Sequence, residues 1–186
     1  MKNSNPIQTG RLILRPWQEQ DYTPFVSLNA DPAVMEYFPS RLSERESHAM
    51  ADKIKKLITQ KGWGFWAAEE KESGKFIGFV GLNAPAYDLP FNPCVEIGWR
   101  LAKDTWGKGY ATEAARASLQ FAFENLDLDE VVSFTTITNL RSRAVMERLG
   151  FANSGEDFDH PLLEEGHPLQ KHVLYKLSQK EWRNRT

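Results

Sequence analysis

The stretch from Trp106 to Ala115, WGKGYATEAA, combines residue types that bind anions. Gly107 and Gly109 have no side chain, so the backbone there can approach a ligand closely. Lys108 adds a positive charge between them. If a helix begins here, its first N–H groups lack helical partners and its dipole favours negative charge. The stretch therefore predicts a phosphate-binding turn, although an ordinary strand-to-helix turn would use the same residues.

Two familiar phosphate loops do not fit this turn. A magnesium-nucleotide loop needs Ser or Thr after its Gly-Lys pair, whereas Lys108 is followed by Gly109. A dinucleotide-binding turn follows the first strand, whereas this turn comes late in the chain and its pattern stops at Ala111. Ala114 and the other small residues favour a helix packed closely on a sheet, with Thr112 predicted as its cap.

The elements that must position this turn follow from hydrophobic period and capping signals. Ser43 and Glu46 form a capping box at the start of one helix, and Gly150 ends another. The predicted helices are 19–29, 44–60, one that runs from the glycine turn to about residue 125, and 139–150. The predicted strands are 11–15, 62–70, 76–83, 94–102, 130–138 and 172–178. In the last strand, Val173, Tyr175 and Leu177 are predicted to face inward.

The order of these elements predicts the topology. Strands 62–70, 76–83 and 94–102 form an antiparallel meander, and strands 94–102 and 130–138 flank a helix. A strand, helix and strand in this order form a parallel βαβ unit. We therefore expect one α/β domain over residues 1–186, with a mixed, mostly antiparallel sheet and the turn inside its parallel unit.

Composition argues against several classes of protein. The net charge of −2 does not indicate a general nucleic-acid binder, which would usually show a basic face, and no apolar run reaches membrane-spanning length. The first ten residues lack the apolar stretch of a signal peptide. Cys94 is the single cysteine, which favours a reducing, cytoplasmic setting. The four histidines show no metal-ligand spacing, so we expect no metal.

Three stretches resemble motifs of one superfamily, in the right order along nearly the whole chain. Residues 99–111, WRLAKDTWGKGYA, are similar to motif A of the GNAT superfamily of acyl-coenzyme A N-acyltransferases. Residues 139–151, NLRSRAVMERLGF, resemble its motif B. Residues 9–17, TGRLILRPW, resemble the N-terminal strand of the branch with the ribosomal-protein (Rim-type) N-terminal acetyltransferases. Trp106 departs from the usual Gln or Arg at its position, as is common in that branch.

This resemblance implies a GNAT-type fold, acetyl-coenzyme A as the acyl donor, and a monomer or homodimer. It implies that the coenzyme A pyrophosphate binds at the turn and helix start, namely at Trp106, Gly107, Lys108, Gly109, Tyr110, Ala111 and Thr112. It also implies that backbone groups of Trp99, Arg100 and Leu101 bind the pantetheine arm.

Acyl transfer to an amine requires a base that removes a proton from the nitrogen. Glu96 is the candidate, because it lies in the apolar strand CVEIGW, where desolvation would raise its pKa. Relatives in the superfamily often use a strand carboxylate near this point. The alternative is a strand-face glutamate paired with an arginine.

Asn139 and Ser142 begin the motif B helix. Ser142 shares an inward helical stripe with Met146 and Leu149, and Asn139 is a natural N-cap. The resemblance implies that Asn139 lies beside the cofactor and that Ser142 lies near its sulfur, as a general acid or thiolate stabiliser. Local capping remains the alternative for both residues.

The acceptor is expected beside the acidic loop 155–169. Its carboxylates would favour a cationic amine by charge complementarity, although a solvated surface loop is at least an equal alternative for Glu164 and Glu165. His160 could face the site, and Trp63, Trp66 and the loop 84–93 could form an apolar wall. The sequence does not distinguish a peptide N-terminus from a small amine.

The leading hypothesis is an acetyl-coenzyme A-dependent N-acetyltransferase. One alternative is a non-catalytic acyl-coenzyme A sensor with the same fold, against which Glu96 and Ser142 argue. The other is a nucleotide-binding protein, against which the residue after Lys108 argues.

Overall fold

The structure, a computed structural model, describes residues 5–185. The helices are α1 (Tyr22–Ala30), α2 (Glu44–Lys61), α3 (Tyr110–Glu124), α4 (Leu140–Leu149) and α5 (Gln179–Arg183). The strands are β1 (Ile7–Gln8), β2 (Leu12–Arg15), β3 (Phe65–Glu70), β4 (Lys75–Asn83), β5 (Glu96–Leu101), β6 (Glu130–Thr136), β7 (Ala152–Asn153), β8 (Phe158–Asp159) and β9 (Lys171–Ser178). Short 3₁₀ helices cover Glu19–Asp21 and Lys103–Thr105.

The chain divides into two compact units, and β5 and α3 contribute residues to both. The first unit comprises the chain up to Leu82 together with Gly98–Ser118. Its strands run antiparallel in the order β1, β2, β3 and β4, and β5 follows β4. The amide of Ala102 donates to the Ile77 carbonyl at 2.9 Å beside this last pair.

An aromatic cluster forms part of the core of the first unit. Trp17 packs edge-on against Phe25 with ring centroids 4.8 Å apart, and Phe76 and Phe79 extend the cluster. Helix α2 packs onto the same unit through its buried stripe, which ends at Ile54 and Ile58. Such aromatic packing contributes beyond the area that it buries, so it gives the unit a rigid centre.

The second unit comprises Asn83–Ile97 and the chain from Leu119. Its first strand pair, β5 with β6, is parallel at Glu96 and Val132, which confirms the predicted parallel unit. Strand β9 pairs antiparallel with β6, and the short strands β7 and β8 also pair with β9. The pairing is therefore mostly antiparallel with one parallel pair, as the sequence predicts.

Capping signals located two helices well. Ser43 Oγ accepts the Glu46 amide and the Glu46 carboxylate accepts the Ser43 amide, so the predicted box starts α2. Gly150 ends α4 with a φ of 96°. The prediction that Thr112 caps α3 is wrong, because that helix begins two residues earlier, at Tyr110.

The predicted alternation in the last strand is incomplete. Val173, Tyr175 and Leu177 are buried as predicted, but Leu174 is buried as well. A strand covered on both faces reads as a continuous apolar run, so alternation alone could not locate its inward face.

Candidate active site

The turn before α3 has the geometry that an anion-binding turn requires. Gly107 and Gly109 adopt left-handed φ values of 75° and 81°, which side chains rarely tolerate. The first helical hydrogen bond joins the Glu113 amide to the Gly109 carbonyl at 3.0 Å. The amides of the three residues between them therefore have no intrahelical partner. Gly107, Lys108 and Gly109 are exposed, so a ligand can reach this backbone.

A hydrogen-bond network from Arg11, the residue before β2, holds this turn. The Arg11 guanidinium donates to the Lys108 carbonyl at 2.9 Å and binds the Glu113 carboxylate at 2.7 Å. It also stacks 4.6 Å from the centre of the Tyr110 ring, whose hydroxyl donates to Glu70. The Tyr110 side chain is therefore committed to contacts inside the protein, and any role towards a ligand would fall to its backbone amide.

The segment proposed for the pantetheine arm lies in β5. Leu101 is buried, and its carbonyl accepts the Trp106 indole N–H at 2.9 Å. This bond ties the end of β5 to the beginning of the turn. Trp99 is half-buried, and Arg100 is buried. The roles of these residues towards a donor remain predictions.

Glu96, at the start of β5, combines partial accessibility with desolvation. Burial raises the pKa of its carboxyl to about 7, and the hydrogen bond from Asn83 Nδ2, at 2.8 Å, opposes that rise only in part. Over residues 5–185, the hydrogen-bond partner of Glu96 is this neutral amide, and no ion pair with an arginine is observed. A carboxyl with this pKa is poised to exchange protons near neutral pH.

Aromatic and histidine side chains form a second cluster in the same unit. The rings of His160 and His172 lie 4.8 Å apart, and Tyr87 Oη lies 3.4 Å from His160 Nε2. Burial and the neighbouring His172 lower the pKa of His160 to about 4, so His160 is neutral at physiological pH. Phe134 and Phe158 pack beside both histidines. His160 is thus a neutral side chain within a largely aromatic cluster.

Asn139 is the N-cap of α4, so its capping role is real. Its Oδ1 accepts the Ser142 amide at 3.2 Å, and its Nδ2 donates to Thr135 Oγ1 and Ser142 Oγ. Because Ser142 Oγ accepts here, its own proton is available for donation elsewhere. The roles of Asn139 and Ser142 at a cofactor stay predictions.

The acidic loop is less negative towards a ligand than its composition indicates. Asp159 pairs with Lys171 at 3.2 Å, and Glu156 pairs with Lys176. Glu164 and Glu165 are exposed. The surface-loop interpretation therefore fits these four carboxylates better than a dedicated cation site does.

Sequence reasoning missed Asn83, Arg11 and Glu113. Asn83 is the last residue of β4 and faces the first residue of β5 across the predicted meander, so the element order contained this signal. Arg11 and Glu113 lie about a hundred residues apart, and nothing local in the sequence connects them.

Two features are absent from the part of the chain that the structure describes. Within residues 5–185, no group of three or more His, Cys, Asp or Glu side chains is arranged to hold a metal ion. Over the same residues, no helix is long and apolar enough to cross a membrane.

Comparisons with known proteins bear on the whole chain. The family described as "Acetyltransferase (GNAT) domain" matches residues 11–152. The FsC-acetyl coenzyme A-N(2)-transacetylase of Aspergillus fumigatus is 30% identical over 98% of this chain and 80% of its own length.

Solved structures agree on the fold. A GNAT-family acetyltransferase from Bacillus anthracis superposes with a TM-score of 0.78 at 21% identity, over 95% of this chain and 99% of its own. The ribosomal-protein-S5-alanine acetyltransferase of Vibrio fischeri gives 0.75 at 17% identity, over 96% and 98%. At these identities the two structures support the fold alone. The family match and the Aspergillus relative go further, and this chain is a member of the GNAT family of acetyltransferases.

Proposed function

We propose that this enzyme transfers an acetyl group directly from acetyl-coenzyme A to a primary amine, either a peptide N-terminus or a small amine. The observation that carries the proposal is the exposed turn before α3, with two left-handed glycines and three backbone amides that have no intrahelical partner. Phosphates bind such helix starts without any metal. The printed name of the Aspergillus relative, which includes acetyl coenzyme A, supports the same donor.

In this proposal, the turn and helix start bind the pyrophosphate through Trp106 and the residues up to Thr112. Backbone groups of β5, from Trp99 to Leu101, hold the pantetheine arm. Asn139 contributes to donor binding from the start of α4. One acetyltransferase domain over the whole chain, in a cytoplasmic setting, remains part of the proposal.

The proposed chemistry uses two side chains. The amine nitrogen attacks the thioester carbonyl carbon, the carbon–sulfur bond breaks, and coenzyme A leaves as a thiolate. Glu96 takes the proton that the nitrogen loses, for which its raised pKa is suited. Ser142 supplies or shares a proton at the sulfur, since its hydroxyl proton is not committed to Asn139.

A fluorescence titration tests the donor site. Saturable quenching of tryptophan emission by acetyl-coenzyme A, and none by magnesium-ATP, is the expected result, because Trp99 and Trp106 belong to the proposed site. Gly109→Glu should abolish the response, since it places a strained backbone and a negative charge where phosphates bind.

Gly74→Glu is the matched control. Gly74 has a similar φ of 65° and open space around it, but it lies in the turn between β3 and β4. The control should lose stability as the Gly109 variant does and still bind the donor. Unchanged affinity in Gly109→Glu would remove the phosphate assignment.

A further inference from the structure

Among the residues that the structure describes, Arg100 is a buried cation without an anionic partner. Its side chain is only 8% exposed, and burial lowers its pKa to about 10. Its shortest hydrogen bond runs from Nη1 to Asn29 Oδ1, at 2.6 Å, and a longer contact of 3.9 Å reaches Met50 Sδ. Within residues 5–185, Nε has no hydrogen-bond partner. A buried charge left in this state is costly to the fold.

Arg15 is a second buried arginine in the same unit, and its hydrogen-bond partners differ from those of Arg100. Arg15 is 6% exposed, which matches Arg100. Asp21 accepts from both of its terminal nitrogens at 2.7 and 2.8 Å, and Glu69 accepts from its Nε at 2.6 Å. Two carboxylates therefore neutralise Arg15, whereas Arg100 receives one neutral amide oxygen.

The surroundings of Arg100 hold one edge of the guanidinium in place. Asn29 and Ser47 are completely buried, and Asn29 Nδ2 donates to Ser47 Oγ at 3.1 Å. This bond fixes the amide so that its oxygen faces Nη1. Two buried polar side chains thus orient the arginine without binding its Nε–H. Nε and Nη2 form the edge that carboxylates bind with two parallel hydrogen bonds.

The Phe38 ring covers the Arg100 guanidinium and is itself partly exposed at the surface. The Phe38 ring lies 4.1 Å from the guanidinium carbon and is 37% exposed, which is unusual for a phenylalanine. Phe38 belongs to the irregular segment between α1 and α2. Phe79 lies on the inner side, with its ring centre 5.4 Å from the same carbon. The aromatic faces moderate the buried charge, but they cannot accept the Nε–H in the plane of the guanidinium.

We propose that the Nε edge of Arg100 binds a carboxylate of the acceptor, so that the substrates are amines that also carry a carboxylate. This inference rests on the proposed function. The phosphates of the donor are already assigned to the turn before α3, which leaves the acceptor as the source of the missing anion. A planar carboxylate also fits an arginine edge bounded by Phe38 better than a tetrahedral phosphate does.

Acetylation rates on matched acceptors test the inference. Each α-amino acid of a panel is assayed as the free acid and as its carboxamide, and release of coenzyme A is followed. At least one free acid should exceed its carboxamide in kcat/KM by roughly tenfold or more, the scale of a hydrogen-bonded charge. In Arg100→Met and Arg100→Lys this ratio should fall towards one. Because the ratio is taken within each variant, any change in donor binding cancels.

Arg116→Met is the control, because Arg116 is exposed on α3 and should keep the wild-type ratio. Arg100→Met should fold at least as well as the wild type, since it removes an unpaired buried charge. Equal rates on acids and carboxamides across the panel, in an enzyme that acetylates both, would overturn the inference and leave the proposed function intact. No transfer to any amine would count against the proposed function instead.

A binding measurement decides the question without activity. The Arg100 Nε–H signal of ¹⁵N-labelled protein is assigned by its loss in Arg100→Lys. It should shift saturably with the N-acetyl amino acids of the panel and stay in place with the corresponding N-acetyl carboxamides. A shift caused by coenzyme A alone, or no saturable shift with any carboxylate, would contradict the assignment.

Discussion

Glu96 shows at the scale of one residue how the same burial can serve activity and cost stability. The carboxyl is ionised only above a pKa of about 7, compared with an ordinary value of 4.5. Such a shift corresponds to roughly 3 kcal/mol between the two protonation states. The fold therefore favours the protonated form, and the proposed reaction requires the ionised one.

The pH dependence of Glu96→Gln should separate these two effects. In the wild type, kcat/KM should rise with pH through a midpoint near 7, as the base loses its proton. The variant should lose most of this activity, by about 10²-fold or more, together with the midpoint. A retained midpoint near 7 would mean that a group other than Glu96 titrates. Glu124→Gln, at the exposed end of α3, is the control and should keep the wild-type profile.

Glu96→Gln should gain stability relative to the wild type as pH rises, although it loses activity. Because the folded pKa of Glu96 is raised, its protonated form stabilises the fold fully below the unfolded pKa. This stability is lost as pH rises through about 7. The free energy of unfolding in urea measures this effect. The value for Glu96→Gln minus the value for the wild type should be more positive at pH 8 than at pH 4.

Arg11 and Glu113 join two elements that the sequence separates widely. Desolvation raises the pKa of Glu113, but the hydrogen bonds from Thr9 and Arg11 outweigh it and hold that pKa below its ordinary value. Ionised Glu113 thus stabilises the fold above its unfolded pKa, and the contribution is lost as pH falls through the folded pKa. The bonds orient β2, the turn and the first turn of α3 together.

Arg11→Met tests whether this network prepares the turn for its ligand. The Kd for acetyl-coenzyme A should rise several-fold, while the free energy of unfolding falls by about 1 kcal/mol, because the ion pair is half exposed. The stability loss should shrink at acidic pH, where Glu113 becomes protonated. Arg45→Met, an exposed change on α2, should alter neither quantity. Unchanged donor affinity in Arg11→Met would show that the turn is rigid without Arg11.

The long helices and the central strands could be predicted because their signals are local. Capping boxes, glycine stops and apolar period placed α2, α4, β6 and β9 within a few residues. Strands β7 and β8 were missed because two residues cannot show a period. The ion pair between Asp159 and Lys171 depends on the register of β8 against β9, which no local pattern contains.

The features of the candidate site also differ in whether the sequence could predict them. The glycine turn and Glu96 were predictable from residue type and apolar context. The unpaired state of Arg100 was not, because the sequence places an arginine in a strand without showing whether a carboxylate meets it. Arg15 and Arg100 look alike in sequence, and only the folded unit distinguishes a neutralised arginine from an unpaired one.

At the scale of the whole molecule, the prediction of a single domain concerns cooperativity. Strand β5 and helix α3 run through both compact units, so unfolding one unit would break elements of the other. We therefore expect one unfolding transition, with the calorimetric and van't Hoff enthalpies equal. Two separate transitions would instead make the units independent domains.

Ligand binding should shift that single transition as a whole. Acetyl-coenzyme A at a hundred times its Kd should stabilise the native state by about 2.7 kcal/mol. For a chain of this length, that corresponds to a rise in Tm of roughly 5–10 °C. Magnesium-ATP should give no rise, because the turn lacks the hydroxyl residue that a magnesium-nucleotide loop requires. Gly109→Glu should lose the rise and Gly74→Glu should keep it, although both begin from a lowered Tm. The turn lies in the first unit. If acetyl-coenzyme A raised the Tm of only one of two separate transitions, that transition would belong to the first unit, and the prediction of a single cooperative domain would be wrong.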